Sequence, residues 1–582
     1  MIVYNGLKSD FLKSVEDDTI ALEIEQNILS KMKRHTVANE FMSWDNSMQY
    51  MYKVMNDPDI PSDAGVAIEY NIPQTSKRVD FMISGYDIAG NPGIVIVELK
   101  QWSKLEKVEN TDALVETYTG NALRKVVHPS YQAWSYAQLI SDYNSAVQDE
   151  HVQLRPCAFL HNYVRKDHDP LDDRQYEAYT MDAPPFTKGQ VSDLRAFIKK
   201  CVRTGDKSEV LYLVDHGAIR PSKSLQNAIA SMIRGNKEFT MIDEQRVAYE
   251  EIIHLSVKSQ KDHKKRTVIC KGGPGTGKSV IAVCLLAELT QRGQFVQYVS
   301  KNSAPRQVYA AKLKGEITKS CIDNMFKGSG MYTQVGRNMI HTLLVDEAHR
   351  LNEKSGMFHN QGENQIKEII HAAACSVFFI DENQRVTMDD IGSVDEIVKW
   401  AEEEGSEVTE LELVSQFRCN GSNGYLAWVD DLLEIRKTAN YTLEGLDYEV
   451  VLCDDPEDLR RAIIEKNKTD NRSRILAGYC WDWPKDSRKN SDFHDMRYEN
   501  GHVVTDFTKR AKTDQSLKGI KKMFKENPDK ARKRADEIIK NTYRTLLTRG
   551  MKGCYIYCTD PGLREYIRSR LDVASKAPFH FA

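Results

Sequence analysis

Gly272-Gly273-Pro274-Gly275-Thr276-Gly277-Lys278-Ser279 fits G-x-x-x-x-G-K-[ST] at every fixed position. The glycines let the backbone curl so that successive N–H groups point at one phosphate, and a following helix adds the partial positive charge of its N-terminus. Lys278 is then placed to reach the β- and γ-phosphates and Ser279 to hold Mg²⁺, so ATP and Mg²⁺ are the expected cofactors. In HTLLVDEAHRL the apolar run Leu343 to Val345 ends in Asp346-Glu347. Asp346 is expected to bind Mg²⁺ through water or Ser279, and Glu347 to orient an attacking water. A second set comes earlier: Asp80 in KRVDFMISGYD, and Glu98 and Lys100 in GIVIVELKQW. Alternate side chains of a strand share a face, so Glu98 and Lys100 point the same way, and Asp80 on a neighbouring strand can join them. Two carboxylates there offer oxygen ligands to Mg²⁺. The ion would lower the pKa of a bound water and polarise a phosphodiester. A lysine beside them would orient that water or neutralise developing charge. The competing reading of the same three residues is an edge-strand salt bridge.

Elements that can position these groups are legible around them. Val268 and Ile269 read as the end of a buried strand, and Val280 to Leu289 as a helix, which is the strand–loop–helix context a phosphate cradle needs. Residues 1 to about 55 carry apolar residues at helical spacing until Pro58 and Pro61 end the pattern. Three strand-like runs follow: Gly65 to Tyr70, Arg78 to Ser84 and Gly93 to Leu99, the last two joined by a turn rich in Gly, Asn and Pro. VQLRPCAFLHNY reads as a further strand of the same sheet, VSDLRAFIKKCV and LQNAIASMIRG as helices, and a domain boundary falls between 225 and 238.

The chain has 582 residues, 28% charged and 41% hydrophobic, which describes a folded protein of more than one domain. No apolar run approaches a membrane span. MIVYNGLKSDFLKSVEDD lacks the basic and apolar regions of a secretory signal. Eleven scattered cysteines, only Cys554 and Cys558 close together, read as reduced thiols in a cytoplasmic protein. A net charge of −4 announces no nucleic acid globally. The local candidate is Lys509 to Lys540, with twelve Lys/Arg against five Asp/Glu, where a solvated helical face is the competing reading.

Asp80, a hairpin-length gap and then Glu98-x-Lys100 after a hydrophobic strand resemble the PD-(D/E)xK nuclease family. That resemblance implies a metal-binding pair at Asp80 and Glu98 and a catalytic lysine at Lys100. The family often has a Gln on a following helix, and HPSYQAWSYAQLI offers Gln132, preceded by His128. Its helical Glu ahead of the strands falls on Glu40, with Glu23 and Glu25 in competition. Residues 239 to 582 resemble the Schlafen group 3-like DNA/RNA helicases of superfamily 1, through the phosphate loop, LLVDEAHR, FFIDENQ, SQFRCN, RILAGYCWDW and YRTLLTRGMKGCYIY. This implies an adenine contact at Gln245, a γ-phosphate sensor at Asp381 and Gln384, and a strand contact around Ser300, Lys301 and Asn302. Gln416 with Arg418, and Arg544 with Arg549, stand in the later motifs. Arg418 and Arg549 are the expected arginine fingers, because their forks can bridge γ-phosphate oxygens.

The fold class expected is α/β. A restriction-endonuclease-like domain (1–230) would precede two RecA-like phosphate-loop domains (239–410 and 411–582, the last shortened). One feature departs from the helicase pattern: CWDWPKDSRKNSDFHD runs directly into MRYENGHVV, without the T-x-Q-G motif that couples ATP to nucleic acid. The expected activity is an ATP-dependent nuclease–helicase on DNA, similar to bacterial proteins of defence against foreign DNA. The alternatives are an ATP-gated nucleic-acid sensor without processive unwinding, a degenerate nuclease fold used for docking, and an RNA-directed enzyme. Backbone contacts carry the affinity, so the residues do not choose between DNA and RNA.

Overall fold

A computed structural model describes residues 2–32, 36, 38–72, 77–109, 111–120, 122–217, 231–232, 239–314, 319–356, 361–415, 423–438, 443, 446, 448–476, 496–497, 503–505 and 516–576. The protein is mixed α/β and divides into two compact units, residues 1–382 with 391–417, and residues 383–390 with 418–582.

The first unit holds two six-stranded sheets. One runs in the order Ile2–Leu7, Gly65–Asn71, Arg78–Tyr86, Pro92–Lys100, Gln153–Leu160, Pro185–Thr187. Its first four strands pair antiparallel and its last two add in parallel. Pro92–Lys100 is buried on both faces from Gly93 to Glu98, which is why GIVIVE is a near-continuous apolar run and not an alternating one. One face packs on Ala38–Met55 through Trp44, Met48 and Met51, and the other on Pro129–Tyr143 through Tyr136 and Ile140. Each such apolar side chain, once buried, contributes about 1.5–3 kcal/mol before entropy is counted. The expectation of helix throughout residues 1–55 is corrected at its start. Ile2–Leu7 is the edge strand, pairing with Gly65–Asn71, and three helices follow it. Its six residues are too short for periodicity to separate strand from helix. A small antiparallel sheet (Glu106–Lys107, Leu114–Thr119, Ala122–Val127), also not foreseen, leads into the helix that carries Gln132.

The other sheet is wholly parallel, in the order Phe326–Lys327, Val296–Val299, Ile340–Val345, Ala373–Ile380, Arg266–Gly272, Glu407–Leu413. Val268, Ile269, Leu343, Leu344, Phe378 and Phe379 are fully buried, as parallel strands with both faces covered require. Helix Lys278–Gln291 is apolar nearly all round and sinks against this sheet through Ile281, Leu285 and Leu289.

In the second unit, strands Glu449–Leu452 and Gly553–Ile556 pair in parallel. Helix Asn423–Leu432 packs its Tyr425 and Trp428 into the local core. The Arg544 Nε lies 2.6 Å from Asp430 Oδ1, with both side chains buried, which pins helix Pro528–Leu547 to Asn423–Leu432. Among the described residues no helix is long and apolar enough to cross a membrane.

Candidate functional site

Strand Arg266–Gly272 stops at the loop, and Lys278 opens the helix that follows. Gly275 and Gly277 have φ of 80° and 88°, conformations that L side chains adopt only under strain. A Cβ on Gly277 would lie 2.2 Å from Gln245 Nε2, so the loop and that glutamine fit closely. Gln245 donates to the Thr276 carbonyl at 2.9 Å. The Lys278 ammonium donates to the Gly272 and Gly273 carbonyls at 2.6 and 2.8 Å. A Cβ on Gly273 would meet nothing within 4 Å, so the loop faces open space there. A lysine resting on its own loop carbonyls, beside an open cradle, fits a phosphate chain that would take those donors instead.

Asp346 follows strand Ile340–Val345 directly, and its Oδ2 accepts from the Ser279 hydroxyl at 2.7 Å and the Tyr298 hydroxyl at 2.6 Å. The two residues expected to share Mg²⁺ therefore touch. Burial lifts the Asp346 pKa, the Glu347 charge adds to that, and the hydroxyls oppose it. A cation beside the pair would relieve that cost. Glu347 itself has φ 55°, an unfavourable conformation for a glutamate, and lies 3.0 Å from His349 Nε2. Asp381 follows strand Ala373–Ile380 and is buried, and its N–H donates to His349 Nδ1 at 3.4 Å. Ser300 is buried, Lys301 donates to Asn352 at 2.7 Å, and Asn302 precedes helix Ser303–Leu313. Gln384 ends the short 3-10 turn Glu382–Gln384. In the second unit Arg549 is exposed in the turn before strand Gly553–Ile556, whereas Arg544 is committed to Asp430. Gln416, Arg418 and the junction from Cys480 to Asp495 lie outside the described residues.

The second cluster forms where strands Arg78–Tyr86 and Pro92–Lys100 meet. Phe81 pairs with Val97, so Asp80 and Glu98 come next to each other on one face, and Lys100 follows two residues on. Asp80, Glu98, Lys100 and Gln132 line one cleft of about 430 Å³, together with Glu40, Glu69, Lys77, Arg78, Tyr136 and Asp243. Lys100 Nζ lies 2.7 Å from Glu98 Oε1, and the Leu99 N–H donates to Asp80 Oδ2 at 2.7 Å. The remaining Glu98 oxygen, Oε2, is buried with no hydrogen-bond partner. Burial, with the Asp80 charge adding to it, pushes Glu98 up to about 8, and Lys100 pulls the other way. Burial also lifts Asp80, against Lys100 and the Leu99 amide. At Lys100 burial works against the ammonium, yet Glu98 and Asp80 outweigh it and hold its pKa above the ordinary value.

Glu40 reaches the cleft and lies 2.7 Å from Arg78, whereas Glu23 accepts from Thr19 and Ser14 elsewhere. Gln132 Nε2 donates to the Tyr136 hydroxyl at 2.9 Å. Buried His128 caps this helix: its Nδ1 accepts from the Ser130 N–H at 3.1 Å and its Nε2 lies 3.1 Å from the Leu171 carbonyl. Sequence reasoning missed Glu69, Lys77, Arg78, Tyr136 and Asp243, which converge from three separate stretches of chain. Only Arg78, two residues before Asp80, carried a local signal. Burial lifts Glu69 to about 7, against the pull of Arg78 at 2.8 Å.

The cleft gathers five carboxyl groups against three cations, and the raised pKa values of Glu98, Glu69 and Asp80 mark carboxylates whose ionised form a divalent cation would stabilise. Among the described residues no group of three or more His, Cys, Asp or Glu is arranged to hold a metal. A pair of carboxylates completed by water is nonetheless what Mg²⁺ ordinarily takes from a protein. The orphaned Glu98 oxygen beside Asp80 fits that donor set.

A strand–loop–helix phosphate cradle beside an acidic strand end, on a parallel sheet, defines a nucleotide-binding α/β protein. The family of the Schlafen group 3, DNA/RNA helicase domain matches residues 265–504 and 493–560, just over half of the chain. The chain belongs to that family, which makes it a nucleic-acid-related, ATPase-type protein. It is also similar to the Uncharacterized protein YPL245W of Saccharomyces cerevisiae (strain ATCC 204508 / S288c). The two are 24% identical over 404 residues, covering 53% of this chain and 85% of that protein.

Proposed function

We propose that the chain is an ATP-dependent nuclease–helicase acting on DNA, with Mg²⁺ at two sites. Lys278 and the loop amides would hold the nucleotide phosphates, Ser279 and Asp346 its Mg²⁺, and Glu347 the attacking water. Asp80 and Glu98 would hold a second Mg²⁺, and Lys100 would position the water or balance charge as a phosphodiester is cut. When bound there, the ion supplies a more acidic water and a Lewis acid for the phosphodiester. The observation that carries the nuclease half is the buried, unpartnered Glu98 oxygen beside Asp80, with Lys100 and Gln132 on the same cleft. The scattered cysteines, read as reduced thiols, add a cytoplasmic location, and the resemblance noted above adds a role in defence against foreign DNA. The test is cleavage of labelled single- and double-stranded DNA and RNA, with and without ATP and Mg²⁺. Cleavage of RNA alone would replace DNA as the substrate, and no cleavage of any of them would remove the nuclease.

A second reading keeps both sites and drops the motor: an ATP-gated nuclease or nucleic-acid sensor. The run from Cys480 through Asp495 directly into the MRYENG segment favours it, because the T-x-Q-G motif is missing there. On this reading nucleic acid stimulates ATP hydrolysis only weakly, and a long tailed duplex stays paired in a strand-separation assay. Robust unwinding would restore the motor.

A further inference from the structure

Three consecutive residues, Asp243, Glu244 and Gln245, stand between the two candidate sites. Asp243 lines the carboxylate cleft. Its Oδ2 accepts from the Tyr136 hydroxyl at 2.9 Å and lies 2.9 Å from Lys77 Nζ, while its Oδ1 is buried without a partner. Tyr136 is the same residue that accepts from Gln132. Glu244 lies 2.9 Å from Lys77 through one oxygen and accepts from Ser415 at 2.7 Å through the other. Gln245 reaches the opposite way, to the Thr276 carbonyl of the phosphate loop. Its Oε1 accepts from the Ile242 N–H at 3.4 Å, which ties the side chain back to the start of helix Asp243–Asp262. Asp243 has φ 40°, a strained backbone that persists only where its surroundings fix it.

We infer that Asp243 is a positioning residue of the carboxylate cleft, delivered to it by the nucleotide-binding part of the chain, so that filling the phosphate loop reorganises the Asp80–Glu98 pair. The coupling element is the helix start. A nucleotide that changes the Gln245–Thr276 contact moves a residue two positions from Asp243 on the same rigid turn. Asp243 transmits the change through Tyr136 to Gln132 and through Lys77. The inference rests on the nucleotide reading above and is independent of whether the cleft cuts nucleic acid.

Hydrogen exchange of the full chain in Mg²⁺, with and without ADP, tests it without any activity. ADP is expected to slow exchange in peptides covering 272–279 and also, by about fivefold, in those covering 78–100, the lower end of ordinary coupling between sites. Asp243→Asn tolerates the left-handed backbone and removes the charge, and Tyr136→Phe removes one hydroxyl. Both are expected to keep the effect in 272–279 and lose it in 78–100. Protection confined to 272–279 in the unaltered chain, or an undiminished response at 78–100 in both variants, overturns the coupling and leaves the nucleotide reading standing. No protection at 272–279 overturns the nucleotide reading and the coupling together.

Discussion

The two six-stranded sheets of the first unit carry their candidate site residues in different places. In the parallel sheet those groups stand past the strand ends: the glycine loop after Gly272, Asp346 after Val345, Asp381 after Ile380. In the mixed sheet they stand on the strands themselves, Asp80 inside Arg78–Tyr86, and Glu98 and Lys100 inside Pro92–Lys100. Loop backbone at a strand end presents N–H groups and a helix dipole, which suits an anion. Strand side chains directed into a covered cleft present charge at fixed spacing in a poorly solvated place, which suits a cation. Each arrangement carries a local cost: the left-handed backbone of Glu347 in one, and in the other a Glu98 raised by burial, which a cation would relieve.

The contrast breaks first at Lys278. Lys278→Ala removes the cation proposed to take the β- and γ-phosphates, and ATP hydrolysis is expected to fall on the order of 10⁴-fold. Glu347→Gln should keep nucleotide binding, measured by calorimetry, while stopping turnover. Hydrolysis at the ordinary rate by Lys278→Ala would end the phosphate-loop reading. Next comes the carboxylate pair. Asp80→Ala or Glu98→Ala should lower cleavage about 10³-fold while ATP hydrolysis and the thermal transition stay in place. Loss of both activities together would show that the two sheets do not act as separate sites. Mn²⁺ should replace Mg²⁺, and Ca²⁺ should bind without turnover. A smaller effect sharpens the division of labour inside the cleft: Lys100→Ala should lower cleavage about 10²-fold, with a lesser loss of metal affinity by calorimetry. Equal loss of metal affinity in Lys100→Ala and Glu98→Ala would mean that the lysine holds the pair together and does not act on the water.

How much of each site was legible follows the same division. The phosphate loop is contiguous, and its flanking apolar runs announce strand and helix, so eight adjacent residues carried its reading. Asp346 was legible because a buried strand must end before an acidic pair. Asp80, Glu98 and Lys100 were legible as a set because a hairpin of that length fixes the register, but the rest of their cleft was not. Glu40 and Glu23 are equivalent by helical spacing, and only packing decides that Glu40 meets Arg78. Glu69 stands on an interior strand at φ 58° and is held by Trp44 Nε1 at 2.7 Å, a contact no periodicity contains. Asp243 carries no local signal in the sequence. Its place in one cleft with Glu98 brings together residues far apart in the chain, which is tertiary information. Ile2–Leu7 was missed because its strand pairing lies with residues 65–70 and not with its neighbours in sequence.

The smallest expected effect is a pH dependence read at one helix on the mixed sheet's side. His128 is fully buried, caps the helix carrying Gln132 and is held in a neutral form, accepting at Nδ1 from Ser130 and facing the Leu171 carbonyl with Nε2. Burial lowers its pKa from 6.5 to about 4, against the weaker pull of that carbonyl. The unfolded chain therefore binds a proton that the folded chain refuses in the window between those values. Its contribution to stability is complete above pH 6.5 and is lost as pH falls toward 4, with about 2 kcal/mol gone by pH 5. Hydrogen exchange read separately for residues 128–143 and 278–291 should show the first segment opening between pH 7 and 5 while the second holds. His128→Asn keeps a capping oxygen and removes the titration, so it should flatten that difference. A variant that still loosens residues 128–143 with the same pH slope would assign the proton uptake to another buried imidazole on this side, with His161, whose pKa burial also lowers, the first to examine.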